Sequence, residues 1–184
     1  MRTRQEIALP GGKEKTTVVI IDADYLEDQR KGHVAGVVCN SPLDDHAQKV
    51  VTAVVDGIGE YIPGQFYKRE LKCAEAILRQ LNLVRIDMVI VDGYADFGTE
   101  ARSLGTHVYE EYKLPVVGIA KNRLKLCVLE DTEVYRGASL SPLYVTAKGI
   151  EQDAAKDMVR RMAGPYRIPD LVKLADKYAR DWRC

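Results

Sequence analysis

The sequence predicts an α/β domain whose central sheet is mixed and carries helices on both faces. Two apolar runs, Met88–Val91 and Val116–Ala120, are short and uninterrupted, as expected of strands buried on both sides. Three further strand patterns precede these runs, and segments of helical period separate and follow them. Because strands alternate with helices in the second half of the chain, we expect parallel pairing there.

Length and composition restrict the class of protein. The chain has 184 residues, of which 46% are hydrophobic and 29% are charged, so we expect one domain, residues 1–184, with a single core. Lysine plus arginine equals aspartate plus glutamate at 27 each, so net charge gives no indication of nucleic-acid binding. No apolar stretch approaches the length of a membrane span, and we expect no secretory leader and no membrane partner.

The cysteines indicate a reducing compartment. Cys39, Cys73, Cys127 and Cys184 are widely spaced and form no C-x-x-C pair. We interpret them as free thiols and not as metal ligands. This pattern is typical of a cytoplasmic protein.

Three strands are predicted before the first helix. The first, TTVVIIDADY, leads into Asp22 and Asp24, two acids that point to the same side of a strand. HVAGVVCNS and QKVVTAVVDGIG follow after short turns, which favours an antiparallel meander. The apolar period then changes, and FYKRELKCAEAILRQL predicts a helix with Glu70 in its first two turns.

The second half of the chain alternates strand and helix. A helix interrupted at Gly105 is predicted over residues 99–112, between the two short apolar strands. KLCVLEDTEVYRGASLSPLYVTAKG adds one or two strands. Two amphipathic helices, IEQDAAKDMVRRMA and PDLVKLADKYARDW, follow around the rigid linker GPYRIP.

An acid and a base leave the tips of the two buried strands. Asp92 ends the first strand and is followed by Gly93 in a predicted sharp turn, and Lys121 ends the second strand. In open α/β sheets, sites form at such strand tips. The alternative is that Asp92 only caps the next helix and that Lys121 is a solvated strand end.

The order of the elements is that of the ribonuclease H-like fold. In this order Asp22, Glu70 and Asp92 lie on the first strand, the first helix and the fourth strand. Carboxylates are the ligands that Mg²⁺ prefers, and a bound cation can hold an activated water against a phosphate. These acids, with Lys121 facing the phosphate, predict phosphodiester cleavage. An acid near a helix N-terminus is also favoured by the helix dipole, so Glu70 has an alternative role as a surface acid.

Four segments, YIPGQFYKRE, IVDGYA, VGIAKNRL and YRIPDLVKLAD, carry a more specific signal. They resemble segments of the endonuclease V family, nucleases that act next to deaminated adenine in nucleic acids. The resemblance implies that Asp22, Glu70 and Asp92 hold Mg²⁺, or Mn²⁺ in its place. It also implies that Lys121 contacts the scissile phosphate.

The resemblance further implies a set of substrate-binding residues, which are Tyr61, Ile62, Pro63, Gly64, Gly93 and Tyr94. The first three would form a wedge that separates bases beside the lesion, against a stacking energy of a few kcal/mol. The alternative for Tyr61 and Ile62 is a hydrophobic plug under the start of the helix.

The sequence also departs from the family pattern. Gly98 stands where the family has a histidine after its Asp-Gly turn, and Lys148 lies near the place of a second missing histidine. Asp96 and Glu100 are candidates for outer metal ligands, with a solvated loop as the alternative for each. His107 matches a family histidine, although a helix histidine more often packs than reacts.

Three functions from different classes follow. The first is a metal-dependent endonuclease of endonuclease V type that binds DNA or RNA as a monomer and has a changed base pocket. The second is a nuclease with the same chemistry and another nucleic-acid substrate. The third is a nucleic-acid-binding module without activity, and the retention of all three acids weighs against it.

Overall fold

The computed structural model describes residues 16–26, 29–59, 67–81 and 86–181. The strands are β1 (Val18–Leu26), β2 (Lys31–Cys39), β3 (Lys49–Asp56), β4 (Met88–Asp92), β5 (Val116–Ala120), β6 (Glu133–Val134) and β7 (Leu143–Lys148). The helices are α1 (Tyr67–Gln80), α2 (Leu104–Tyr112), α3 (Gln152–Arg161) and α4 (Asp170–Arg180). Within these residues, none of the helices has the length and apolar character needed to cross a membrane.

The strands form one seven-stranded mixed sheet in the order β3-β2-β1-β4-β5-β7-β6. β1, β2 and β3 are an antiparallel meander, and β4 and β5 run parallel to β1. β7 runs antiparallel to β5 and carries the short strand β6 at the edge. This topology confirms the predicted α/β, ribonuclease H-like fold, and the segment that was predicted to add one or two strands adds two, β6 and β7.

The two faces of the sheet bury alternate residues of each strand, because successive side chains point to opposite sides. Val19 and Val89 belong to the core under α1 and α2. Ile20 and Ile90 belong to the core under α3 and α4. Helices therefore cover both faces, as predicted.

The helix predicted over residues 99–112 begins later, at Leu104. The Ser103 hydroxyl accepts a hydrogen bond from the backbone N–H of Thr106 and donates one to the carbonyl of Ala95. Ser103 is therefore the N-cap residue, because its side chain satisfies a backbone donor of the first turn.

Two glycines allow the turn after β4 to lie close against its neighbours. A Cβ at Gly105 would come within 3.0 Å of the backbone of Ala95, and a Cβ at Gly118 would come equally close to the backbone of Gly93 and Ala95. The predicted helix interruption at Gly105 is therefore wrong. Gly105 lies inside α2, and a larger residue would not fit at this position because the turn after β4 packs against it.

The substitution Gly118→Ala should destabilise the fold by about 1–3 kcal/mol, because the added methyl group meets backbone that can move only with the turn. Urea unfolding measures this loss. Gly59→Ala is the matched control, since a Cβ there meets nothing within 4 Å. Equal unfolding free energies for the two variants would contradict the close packing at Gly118.

Candidate metal centre and active site

The register of the parallel strands brings the predicted site residues to one edge of the sheet. Asp22, Asp92 and Lys121 each follow, by two positions, an isoleucine of the core under α3 and α4. Because side chains alternate along a strand, the three point toward the side of the sheet that α4 covers. β1 and β4 are paired up to Ile21 and Val91, so Asp22 and Asp92 are the next residues along neighbouring strands.

Three carboxylates converge at this edge. Asp22, Asp92 and Asp176 each offer an oxygen atom, and these atoms lie within 4.8 Å of one another. Hard divalent cations such as Mg²⁺ bind carboxylate oxygens, and like charges held this close repel one another when no cation lies between them. The donor atoms present therefore fit a divalent metal ion.

Glu70 approaches the same place from the opposite face of the sheet. It lies in the first turn of α1, and together with Asp22 and Asp92 it lines a cavity of about 230 Å³. Glu70 is not a member of the group of three mutually close carboxylates found among the described residues. The structure thus places it at the border of the acidic cluster.

Lys121 lies against the acids. Its Nζ is 2.6 Å from Oδ2 of Asp92 and 3.9 Å from Oδ1 of Asp176. Burial acts to lower the pKa of the Lys121 ammonium, but the hydrogen bond and charge of Asp92, with the charges of Asp22 and Asp176, raise it overall. Lys121 is therefore a charged group that offsets part of the negative charge.

The acids that lie deepest have raised pKa values. Burial, followed by the charges of Asp92 and Asp176, raises the pKa of Asp22 to about 7, although Lys121 acts in the opposite direction. Burial, followed by the charges of Asp92 and Asp22, raises the pKa of Glu70 to about 8. When no metal is bound, both carboxyl groups therefore hold a proton more tightly than an exposed carboxyl group does.

Asp176 is the acid of this cluster that the sequence reasoning did not assign. It is the last residue of the segment YRIPDLVKLAD, which was used only for the resemblance. On α4 it stands next to the buried Ala175 and one turn after the buried Val172. Arg180 lies one turn later and pairs with Asp176, so an ordinary i,i+4 ion pair also accounts for this acid, and the local pattern held no signal of a site.

The altered turn after Asp92 makes an ion pair with a strand of the sheet, β7, and not with the acidic cluster. Oδ2 of Asp96 lies 2.7 Å from Nζ of Lys148. Lys148 is paired with Val116 at the start of β5, whereas the acidic cluster lies at the strand ends. Asp96 is therefore neither a solvated loop acid nor a member of the cluster, and Glu100 lies in an exposed part of the loop.

His107 packs between the two helices of its face. Its ring stacks on Tyr67 with centroids 4.5 Å apart and an angle of 17° between the planes. Its buried Nε2 has no hydrogen-bond partner among the described residues, and burial together with the charge of Arg102 lowers the pKa of the imidazole. These properties support a packing role.

A second, larger cavity of about 560 Å³ opens beside Asp92 and Lys121. Its walls are mainly apolar and are formed by Tyr67, Tyr94, Phe97, Leu104, Leu124 and Leu126. Arg102 and Arg123 also line it. The cavity has the size and lining of small-molecule sites in general. The predicted wedge and its neighbour, residues 61–64, lie outside the described residues.

These observations define a ribonuclease H-like domain with a cluster of carboxylates and a lysine at its strand ends. A sequence model of the endonuclease V family matches residues 2–144. The chain therefore belongs to the endonuclease V family, as the motifs indicated.

Known members of the family are similar along most of the chain. Endonuclease V of Rhodospirillum centenum is 25% identical over 194 residues, which cover 95% of this chain and 80% of that protein. The structure of endonuclease V from Streptomyces avermitilis matches with a TM-score of 0.77 at 24% identity. The match covers 97% of this chain and 86% of the Streptomyces chain. Ciona intestinalis endonuclease V, in complex with a 24mer DNA containing an inosine followed by a ribo-adenosine, has a TM-score of 0.77 at 17% identity, with coverages of 92% and 86%.

The substitution Asp22→Asn should raise the melting temperature of the metal-free protein, and the gain should grow with pH. The pKa of Asp22 in the folded protein, about 7, lies above its ordinary value of 3.8, so the folded state binds the proton more tightly than the unfolded state. The carboxyl group therefore lowers stability progressively as pH rises from about 4 to about 7, whereas asparagine does not titrate. Calorimetry across this range in excess chelator measures the difference.

Asp56→Asn is the control for this experiment, because its side chain is 78% exposed at the far edge of the sheet. An exposed charge is screened by solvent, so this change should alter the melting temperature less than Asp22→Asn does. A gain for Asp22→Asn that stays constant or shrinks as pH rises would contradict the electrostatic account of the cluster.

Proposed function

We propose that the protein is a metal-dependent endonuclease that cleaves a phosphodiester bond near a deaminated adenine, deoxyinosine or inosine, in DNA or RNA. The observation that carries the proposal is the convergence of Asp22, Asp92 and Asp176 beside the ammonium group of Lys121. The Ciona intestinalis relative bound to inosine-containing DNA supports the class of substrate. The arrangement of acids supports the metal dependence.

Mg²⁺ is the cation we propose, with Mn²⁺ accepted in its place, because all the donors are hard carboxylate oxygens. Asp22, Asp92 and Asp176 would hold it, together with Glu70, which lines the same cavity as Asp22 and Asp92. When bound, such a cation supplies an activated water and stabilises charge on the leaving oxygen.

The chain's own groups bind and orient the substrate around this centre. Lys121 places a positive charge next to Asp92, where it can stabilise the negative charge that develops on a phosphate. Gly93 follows directly, and a Cβ there would meet nothing within 4 Å, so the substrate backbone has room to approach. The raised pKa values of Asp22 and Glu70 mean that both carboxyl groups lose protons as a cation binds.

Substrate contacts are proposed at three places. The adjoining apolar cavity, which Tyr94 lines, would take the base. Gly93 would lie along the nucleic-acid backbone. Beside the lesion, the two nucleic-acid strands would be separated by Tyr61, Ile62, Pro63 and Gly64. We expect the protein to lie in the cytoplasm, since the described cysteines are free thiols. We also expect it to act as a monomer.

Cleavage of inosine-containing oligonucleotides should require Mg²⁺ or Mn²⁺, and Asp92→Asn should lower the rate by at least about 100-fold, because the variant removes charge from the reacting centre. Gel assays with purified protein measure the rate. Asp56→Asn, an exposed acid of the edge strand, should cleave at the wild-type rate. Cleavage in excess chelator, or a fully active Asp92→Asn protein, would refute the proposed metal chemistry.

The preference for inosine depends on how the pocket reads the base. A site that hydrogen-bonds a distinguishing group rejects its analogue by about 10⁴–10⁵, whereas a mainly apolar pocket discriminates by about 10². Here the cavity walls are mainly apolar and aromatic, and Phe97 of the altered turn is part of them. Phe97 offers a ring on which any base can stack, which is worth about 1–3 kcal/mol. These features favour a broader substrate range than the family pattern implies.

We therefore expect inosine to be cleaved faster than adenosine in an otherwise identical strand by a factor on the order of 10–100. Single-turnover rates on matched single-stranded oligonucleotides, with Mg²⁺ and separately with Mn²⁺, measure this ratio. We expect Mn²⁺ to give the faster cleavage. A ratio of about 10⁴ or more with Mg²⁺ alone would show that the altered turn does not weaken base discrimination.

A further inference from the structure

Tyr94 connects the two loops that carry the reactive groups. It follows Asp92 by two residues, and its hydroxyl donates a hydrogen bond to the carbonyl of Asn122 at 2.9 Å. The same hydroxyl accepts a hydrogen bond from the backbone N–H of Leu124, also at 2.9 Å. One phenol therefore joins the turn after β4 to the segment that begins with Lys121.

Lys121 lies just beyond the hydrogen bonds of the sheet. β5 ends at Ala120, and the residues from 122 to 126 are exposed. The guanidinium group of Arg167 donates hydrogen bonds to the carbonyl oxygens of Lys121 and Pro142. Arg167 thus holds the backbone of the lysine itself, and Tyr94 holds the backbone of the residues that follow it.

The position of this backbone limits where the ammonium group can lie. Lysine has a long side chain with many rotamers, so its charge is placed well only when its main chain is fixed. The Nζ of Lys121 is only 2.6 Å from Asp92, and a displacement of about 1 Å at a reacting centre can lower a rate by about 100-fold. The hydrogen bonds of Tyr94 therefore influence a distance, that from the Lys121 ammonium group to the reacting centre, on which the rate depends strongly.

We propose that Tyr94 is a positioning residue for Lys121. Its hydroxyl holds the main chain at Asn122 and Leu124 so that the ammonium group stays between Asp92 and the phosphate. The inference rests on the proposed nuclease function of the same site. It gives Tyr94 a role through its hydroxyl, in addition to the substrate contact that its ring can make.

The ring and the hydroxyl of Tyr94 are separable. The ring lines the larger cavity and lies 5.8 Å from the ring of Phe97, at an angle of 44°. The substitution Tyr94→Phe keeps this ring and removes only the two hydrogen bonds. A role limited to stacking on a base would therefore leave Tyr94→Phe fully active.

The test begins with single-turnover cleavage of an inosine-containing strand. Tyr94→Phe should lower the maximal rate roughly tenfold, with the substrate concentration at half-maximal rate changed by less than about twofold. Tyr135→Phe is the matched control, because the Tyr135 side chain is exposed and its hydroxyl bonds only to Glu133 among the described contacts. It should cleave at the wild-type rate.

A double-mutant cycle identifies the lysine as the group through which Tyr94 acts. In the Lys121→Met background, with enzyme in excess, Tyr94→Phe should cause no further loss of rate, because the group that it positions is absent. An unchanged rate in Tyr94→Phe, or a full tenfold loss that persists without the lysine, would overturn the proposal.

Amide hydrogen exchange tests the anchor without any cleavage. The N–H of Leu124 should exchange at least about fivefold faster in Tyr94→Phe, since its acceptor is lost. An unchanged exchange rate would overturn the proposal whether or not the wild-type protein cleaves nucleic acid. Absence of cleavage by the wild-type protein, with faster exchange in the variant, would instead reject the proposed function and retain the anchor.

Discussion

Repulsion among carboxylates is the constraint on which the site depends. Asp22, Asp92 and Asp176 hold oxygen atoms within 4.8 Å of one another, and such an arrangement is stable only when protons or cations offset the charge. Lys121 offsets part of it through its contact with Asp92, while burial, followed by the charges of Asp92 and Asp176, raises the pKa of Asp22. Because a bound divalent ion would remove this repulsion, the repulsion among the carboxylates favours binding of the ion.

The layers of the fold explain how the acids meet. The sheet supplies two acids from adjacent parallel strands, and a helix on each face adds one more, Asp176 from α4 and Glu70 from α1. Because alternation along the strands directs Asp22 and Asp92 toward α4, Asp176 joins them closely whereas Glu70 lies at the border. The same topology places Lys121 at the end of the next strand, where its ammonium group lies close to Asp92 and Asp176.

Much of this arrangement could be predicted from local patterns. The apolar runs that end in Asp92 and Lys121 are strands because they are short, β-branched and bounded by turns, and their tips are site positions in any parallel sheet. Asp176 could not be assigned in the same way, because its role depends on which face of a distant helix packs beside β1. The start of α2 was misplaced for a related reason, since Ser103 caps it through contacts with the turn after β4.

Crystals of the protein soaked in Mn²⁺ would test the central claim most directly, because anomalous scattering locates the ion independently of activity. The account predicts a manganese peak in contact with carboxylate oxygens of Asp22 and Asp92, at about 2.0–2.6 Å, with Asp176 adjoining it and the ammonium group of Lys121 beside it. No peak at this edge of the sheet under saturating Mn²⁺, or a peak that these aspartates do not touch, would contradict the account.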